Sequence, residues 1–505
     1  MNTAVGIFIL LLFFAILLAK GILANRVSSK TVEDYYVANR TLGPFILVMT
    51  SYASLVSAFL FIGVPGMVYN LGPGLIGAMT PGTIAAGLGF YLIGVRVWML
   101  GKKYGYLTPV DLFRERFESR ALAVIMFVVI VLFTLPFMAL QPMGAGHFIN
   151  ALTGGAIPYY AGAAITTVIL VVYVLLAGMR GVAWTDALQG SLLFIFLWIT
   201  LFAIAGEAGG FAEGARRAAE ATPNFFARQG PTGFWNPRAI WTWFFVFCFS
   251  SVMQPHIFAR FYAARSTRTI KSLVTFWPLI IASTYIPAVL IGVYGKVVLP
   301  GLKQADQLVP KFVVEYLPAW LGALIFIGAL SAMMSTVDSQ FLALGSMVKR
   351  DFWEPLTGRK VDSRDELKIS RWSIGIIAVI ILILAYKPPA MIGMLGAATF
   401  AVVAVLMPVA VGALYWKRAT AVGCIVSIFS GTAIIGGTYL NFIPRAVWGG
   451  WDPSGPGLLA AAVTMVVVSL ITKAPGQATL DKFFKFVEPY YEEPAGAKAG
   501  RSIAK

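Results

Sequence analysis

A chain of 505 residues that is 59% hydrophobic and only 12% charged carries about half the charge of a soluble domain of its length. Its formal net charge of +17 does not indicate nucleic-acid binding: no basic module interleaves with stacking aromatics, and basic residues of a many-spanning protein collect in its cytoplasmic loops. Apolar runs recur from end to end, as in a helical bundle whose solvent is lipid. Cys248 and Cys424 both fall inside such runs, so no disulfide framework is implied.

In chain order, thirteen spans of about 20 apolar residues are expected. They lie near 3–24, 42–70, 74–100, 121–149, 157–178, 183–206, 238–262, 270–298, 317–347, 370–387, 389–416, 420–442 and 456–473. Met1–Gly6 carry no positive charge, and the first basic residues, Lys20 and Arg26, follow the apolar run. The first span therefore reads as a retained helix with its N-terminus outside, which places the C-terminus in the cytoplasm. About three-quarters of the Lys and Arg residues then fall on the inner side, Arg96, Arg180 and Arg260 among them. Residues 207–233 form an outer loop with a short helix near 212–221, and 304–316 an interfacial helix. The tail carries an amphipathic stretch, Leu480–Tyr491, expected on the inner leaflet, and then a disordered Ala/Gly/Lys end.

Irregular backbone survives in a membrane only around a protein-lined cavity. The second span, SYASLVSAFLFIGVPG at 51–66, has Ser51, Ser54 and Ser57 at its centre and Gly63, Pro65 and Gly66 beyond. The seventh, FCFSSVMQPH at 247–256, pairs two serines with Pro255. These spans are five apart and open two successive five-helix units; paired interruptions of this kind mark a transporter's binding site, although serine and proline also occur in ordinary membrane helices. In the ninth span Ser331, Ser335, Asp338, Ser339 and Ser346 share one helix face. Interhelical hydrogen bonding alone would account for the serines, but an intramembrane carboxylate such as Asp338 marks an ion pathway. Asp186, near the start of the sixth span, is a second such group.

SAFLFIGVPG at 57–66, GMRGVAWTDALQG at 178–190, QPHIFARFYAA at 254–264 and GALSAMMSTVDSQ at 328–340 together resemble the sodium:solute symporter family. The resemblance covers about residues 5–475 and implies an all-α polytopic membrane protein of the leucine-transporter fold. Its parts would be an accessory helix (1–24), two five-helix inverted repeats (42–206 and 238–416), two accessory helices (420–473) and a cytoplasmic tail (474–505). It further implies a Na+ site made by the carbonyls of Ala53, Val56 and Ala332 and the hydroxyls of Ser335 and Thr336. Neutral oxygens suit a hard cation that must also be released. A second cation, Na+ or H+, is expected among Asp186, Ser335, Asp338 and Ser339; a carboxylate at 338, where relatives often carry a hydroxyl, departs from the family pattern.

The solute is expected beside the two breaks, at Ser57, Ala58, Phe61, Gln141, Phe247 and Ser251, with Trp243 as wall or gate. No Arg or Lys is expected at the centre, so an anionic solute would lean on amides freed at Ser57–Ala58. His147 reads as a solvated residue near the outer surface, and His256 as a structural residue at a helix end. VSAFLFIGVPGMVYNLG at 56–72 and the QPH segment look most like the pantothenate and monocarboxylate branch, with a proline-like amino acid as the alternative. The expected partners are a small solute and the lipid bilayer, in a cell (inner) membrane, with no nucleic acid and no obligate protein partner. An intramembrane enzyme would need paired acids or an HExxH helix and a channel a filter loop or a ring of charges; the sequence has none of these. A transporter-like sensor would append a signalling domain, but only about 30 residues follow the last span.

Overall fold

The computed structural model describes residues 31–358, 362–387 and 391–485, with parts of the stretch from Phe8 to Leu23. Among these, ten helices are long and apolar enough to cross a membrane, and two further pairs do so as bent helices. These ten helices and two bent pairs fall at the second through thirteenth expected spans; most of the first, and the end of the tail past Lys485, lie outside the described residues.

Both bent helices break where serine and proline weaken them. In the first, Pro44–Leu55 ends at Val56, whose backbone is extended (φ −85°, ψ 106°), and the chain resumes through a π-turn at Phe59–Gly63 into Val64–Leu71, with a bend of 54°. The second runs Pro237–Met253, breaks at Gln254 and continues as Pro255–Ala263 at 47°, Pro255 having no N–H to continue the ladder. A third discontinuity separates Tyr159–Leu176 from Gly178–Glu207. Gly178 takes φ +58°, and a Cβ there would sit 3.0 Å from the Tyr35 ring, so this turn needs glycine.

Ala319–Met347 runs through the middle of the bundle and is buried almost throughout from Gly322 onward. It packs against Gly178–Glu207 and the first broken helix. Short helices cover the ends. Phe211–Ala221 and Leu308–Tyr316 lie where the sequence placed helices. The connection 102–120 contains the helix Pro109–Phe117, started by a capping box in which Asp111 N–H donates to Thr108 Oγ1 and the Asp111 carboxylate takes the Thr108 N–H. In the tail, Phe483 and Phe484 are buried against the protein: Phe483 stacks 6.3 Å from Tyr104, and the Arg116 guanidinium sits over Phe484. This part of the amphipathic stretch thus covers protein instead of lying free on the leaflet; its remainder lies outside the described residues.

Candidate functional site

The first break exposes amides that the protein itself takes up. Ser57 Oγ accepts from the Phe59 N–H at 3.1 Å, and the Ser57 carbonyl accepts from both Leu60 and Phe61. Gln141, projecting from the helix Arg120–Leu152, accepts the Ala58 N–H at 2.9 Å through Oε1. Of the amides expected to serve an anionic solute, that of Ala58 therefore already has a partner, a side chain from a neighbouring helix.

Ser335 ties the first broken helix to Ala319–Met347. Its hydroxyl lies 2.8 Å from the carbonyls of Ala53 and Ser331 and 3.3 Å from that of Ala332, and Thr336 Oγ1 lies 3.2 Å from the Ala332 carbonyl. Ala53, Ala332, Ser335 and Thr336 thus meet, all fully buried. Val56, next to them in the break, holds its carbonyl outside a regular helical turn.

One turn further along lies a charged centre. Asp186 and Arg260 form an ion pair at 2.8 Å, both fully buried. Thr50 donates to Asp186 at 2.5 Å and Ser54 at 3.2 Å. The guanidinium reaches Thr50 from Nε and Nη2, Ser339 at 2.6 Å, the His256 carbonyl at 2.8 Å, and Ser54. Ser339 also contacts Asp338 at 3.3 Å, and Asp338 Oδ2 is buried with no hydrogen-bond partner. Asp186, Asp338 and Ser339 are thus assembled together, while Ser335 faces Ala53 a turn away. This overturns the expectation of a centre without arginine: Arg260 is no inner-loop charge but the hub of the cluster. Its helix, PHIFARFYA, carries that one charge among otherwise apolar, aromatic and small residues, and the spacing Thr50–Ser54 on the first broken helix was the other available signal.

The expected solute positions divide. Between the breaks lies a void of about 10 Å³, room for roughly one water, lined by Phe247 and Ser251 together with Val56, Phe59, Thr83, Tyr285 and Phe400. Phe59, Phe247 and Phe400 close on one another with ring centroids 5.0–5.7 Å apart. Ser57, Ala58, Gln141 and Trp243 do not line it; Trp243 backs Phe247 at 6.4 Å. Phe61 turns away to Phe148, and Phe59 takes the place the sequence assigned to it.

At the far end of the first broken helix, a cavity of about 590 Å³ is lined by His147, Asn150, Tyr159, Lys303, Asp306 and Lys387, among others. His147 faces this cavity, half-buried against Tyr159; His256 is wholly buried as the second residue of its helix. Asp306 accepts the Ile392 N–H at 2.9 Å, and burial pushes its carboxyl up to about 6. Beside it the backbones nearly touch: a Cβ on Gly63 would lie 2.9 Å from Gly393.

A membrane bundle in which two broken helices meet a polar helix at a buried charged centre is the architecture of a secondary transporter. A family model, that of the sodium:solute symporter family, matches residues 35–431, and the chain belongs to that family. A sodium/pantothenate symporter of Haemophilus influenzae is 25% identical over 81% of this chain and 84% of its own length. A sodium/proline symporter of Escherichia coli is 26% identical over 94% of each. In fold, the chain matches a Na+-coupled sialic acid symporter solved in a substrate-bound outward-open state, with a TM-score of 0.76 at 18% identity, over 94% of this chain and 99% of that one.

Proposed function

We propose that this symporter carries a small organic acid, a monocarboxylate or pantothenate-like solute, into the cell with Na+ by alternating access. The observation that carries the reading is the contact of Ser335 with the Ala53 carbonyl beside the extended Val56. There, neutral oxygens from two helices converge at a break, and an ion bound by Ala53, Val56, Ala332, Ser335 and Thr336 would join the helices.

At the second cluster two carboxylates, Asp186 and Asp338, face one guanidinium. One negative charge is left over when both are ionised, which suits one more monovalent cation, Na+ or H+, at Asp338 and Ser339. A charge crossing 100 mV is worth about 2.3 kcal/mol, or roughly fifty-fold accumulation. A monoanion moving with a single Na+ gains none of this, so electrogenic uptake of an acid requires the second cation. In this reading Phe247 and Ser251 touch the solute directly, and Ser57, Ala58, Phe61, Gln141 and Trp243 come to it as the breaks open. The Asp306 cavity faces outward, the N-terminus lies outside and the C-terminus inside, and 42–206 and 238–416 are the two repeats, after one accessory helix and before two.

The test is uptake of labelled pyruvate, acetate, pantothenate, proline and glucose into proteoliposomes, with and without an inward Na+ gradient. Na+-stimulated uptake of one acid is expected; uptake driven equally by a proton gradient without Na+ would refute the cation assignment. Proline is the second reading, favoured by the sodium/proline symporter relatives.

A further inference from the structure

A large cavity lies away from the two breaks, on the bundle's apolar outer side. It is a laterally open groove of about 700 Å³ between Pro44–Leu55, Gly178–Glu207 and Thr267–Val298. Its rim side chains, Phe45, Ile195, Phe276 and Leu279, are half or more exposed. Its few hydroxyls are committed inward: Ser191 to the Ala187 carbonyl, Ser283 to the Ile280 carbonyl, and Tyr52 to Thr284. A polar solute would find no partner in such a groove, whereas hydrocarbon would.

One end of the groove is marked by charge. Arg265 and Arg268 are exposed, and neither side chain has a partner among the described residues. A backbone bond from the Arg265 N–H to the Leu42 carbonyl at 2.9 Å holds Arg265 two residues from the groove residue Pro44. Along the third helix, Arg268, Ser272, Phe276, Ile280 and Ser283 follow one face at helical spacing. The groove residues Phe276 to Ser283 then lie about 12 to 22 Å from Arg268 along the axis. One bilayer leaflet, head group included, is about 20–22 Å deep.

We infer that this groove is a binding site for an anionic phospholipid, its phosphate on Arg265 and Arg268 and one acyl chain lying over Phe45 and Met49. Those two side chains belong to the helix segment that ends at Ala53 and Val56, so the lipid packs on the back of the broken helix whose front meets Ser335. The site needs only that the chain is membrane-embedded and is independent of the solute carried.

The test is native mass spectrometry of the detergent-purified protein titrated with phosphatidylglycerol or with phosphatidylcholine of the same acyl chains. The wild type is expected to retain phosphatidylglycerol preferentially. With juxtamembrane arginines worth about 1 kcal/mol each, the double variant Arg265→Ala/Arg268→Ala should lose roughly thirty-fold of that preference. Ser191→Trp, which fills the groove, should abolish retention of the acyl chain; Leu279→Trp, at a side chain 71% exposed to lipid, does the same if the first variant folds poorly. Equal retention of the two lipids by the wild type would overturn the inference. So would a preference that survives in the arginine variant, or binding untouched by both tryptophans.

Discussion

Arg260→Gln is the most informative single perturbation. The Arg260–Asp186 pair is 2.8 Å long and both side chains are fully buried, so no solvent screens what is left when one partner goes. Removing one member of a buried pair costs about 3–5 kcal/mol, mostly because the other stays charged in low dielectric. Asp186 would keep only the hydroxyls of Thr50, Ser54 and Ser339. Asp186→Asn alone leaves the guanidinium facing Asp338 without its direct ion pair and is expected to cost less than Arg260→Gln. The double variant removes both charges of the pair, and its loss is expected to be smaller than the sum of the single losses by at least about 1.5 kcal/mol. Denaturation in mixed micelles, followed by tryptophan fluorescence for the wild type, both singles and the double, reads this directly. Additivity within about 0.5 kcal/mol, or single variants as stable as wild type, would refute the pair as the hub of the site.

Ser335→Ala with Thr336→Ala removes two of the proposed Na+ oxygens. The concentration of Na+ giving half-maximal uptake is expected to rise about five- to thirtyfold, one or two lost contacts at ~1 kcal/mol each, and an unchanged value counts against the site. Asp338→Asn should abolish current while leaving Na+-driven solute entry measurable; unchanged current and ion stoichiometry would remove Asp338 from the ion path. Asp306, held near 6 by burial, binds its proton more tightly in the closed vestibule than in an open one, where water returns it toward 3.8. Closure is therefore favoured in acid, and that advantage fades as pH rises through about 6. Initial uptake should climb between external pH 5 and 7, and Asp306→Asn, permanently neutral, should lack that step; the same step in the variant would refute the role. Gly393→Val would push side-chain atoms into Met67 and the Gly63 carbonyl, which even a Cβ would approach at 2.5 and 2.8 Å. At about 1–3 kcal/mol of overpacking, uptake should fall around tenfold with surface expression retained, and normal uptake would show that this contact does not form in the cycle.

Span positions and both breaks were legible because they rest on local composition: twenty apolar residues, or serine and proline within them, mean the same wherever the chain goes. The Asp186–Arg260 pair was not, because its members lie 74 residues apart and hydropathy assigns an arginine near the end of a span to the interface. Only the packing of Pro255–Ala263 against Ala319–Met347 and Pro44–Leu55 shows that Arg260 points into the bundle. The direction of Phe61 was not legible for a different reason. The π-turn at Phe59–Gly63 adds a residue to the turn and shifts which side chains share a face, and Phe59, not Phe61, borders the void. Gln141 could be chosen as a polar residue in an apolar span, but not its role as a cap on the Ala58 amide.

Gly63 and Gly393 meet main chain to main chain, with the Met67 and Ile392 side chains packed beside them, and Gly66 is nearly as close to the carbonyl of Ala305. Side chains can bend and follow a retreating neighbour; backbone cannot. Dispersion between such surfaces fades by a quarter to a half once a gap of about 0.5–1 Å opens. A seal of this kind has almost no intermediate positions: the first ångström of separation forfeits much of its cohesion, and water enters behind it. The end of the bundle that carries Asp306 thus loses much of this contact over a short displacement, a property suited to a coupled carrier, which leaks its ion gradient if it pauses halfway through a stroke.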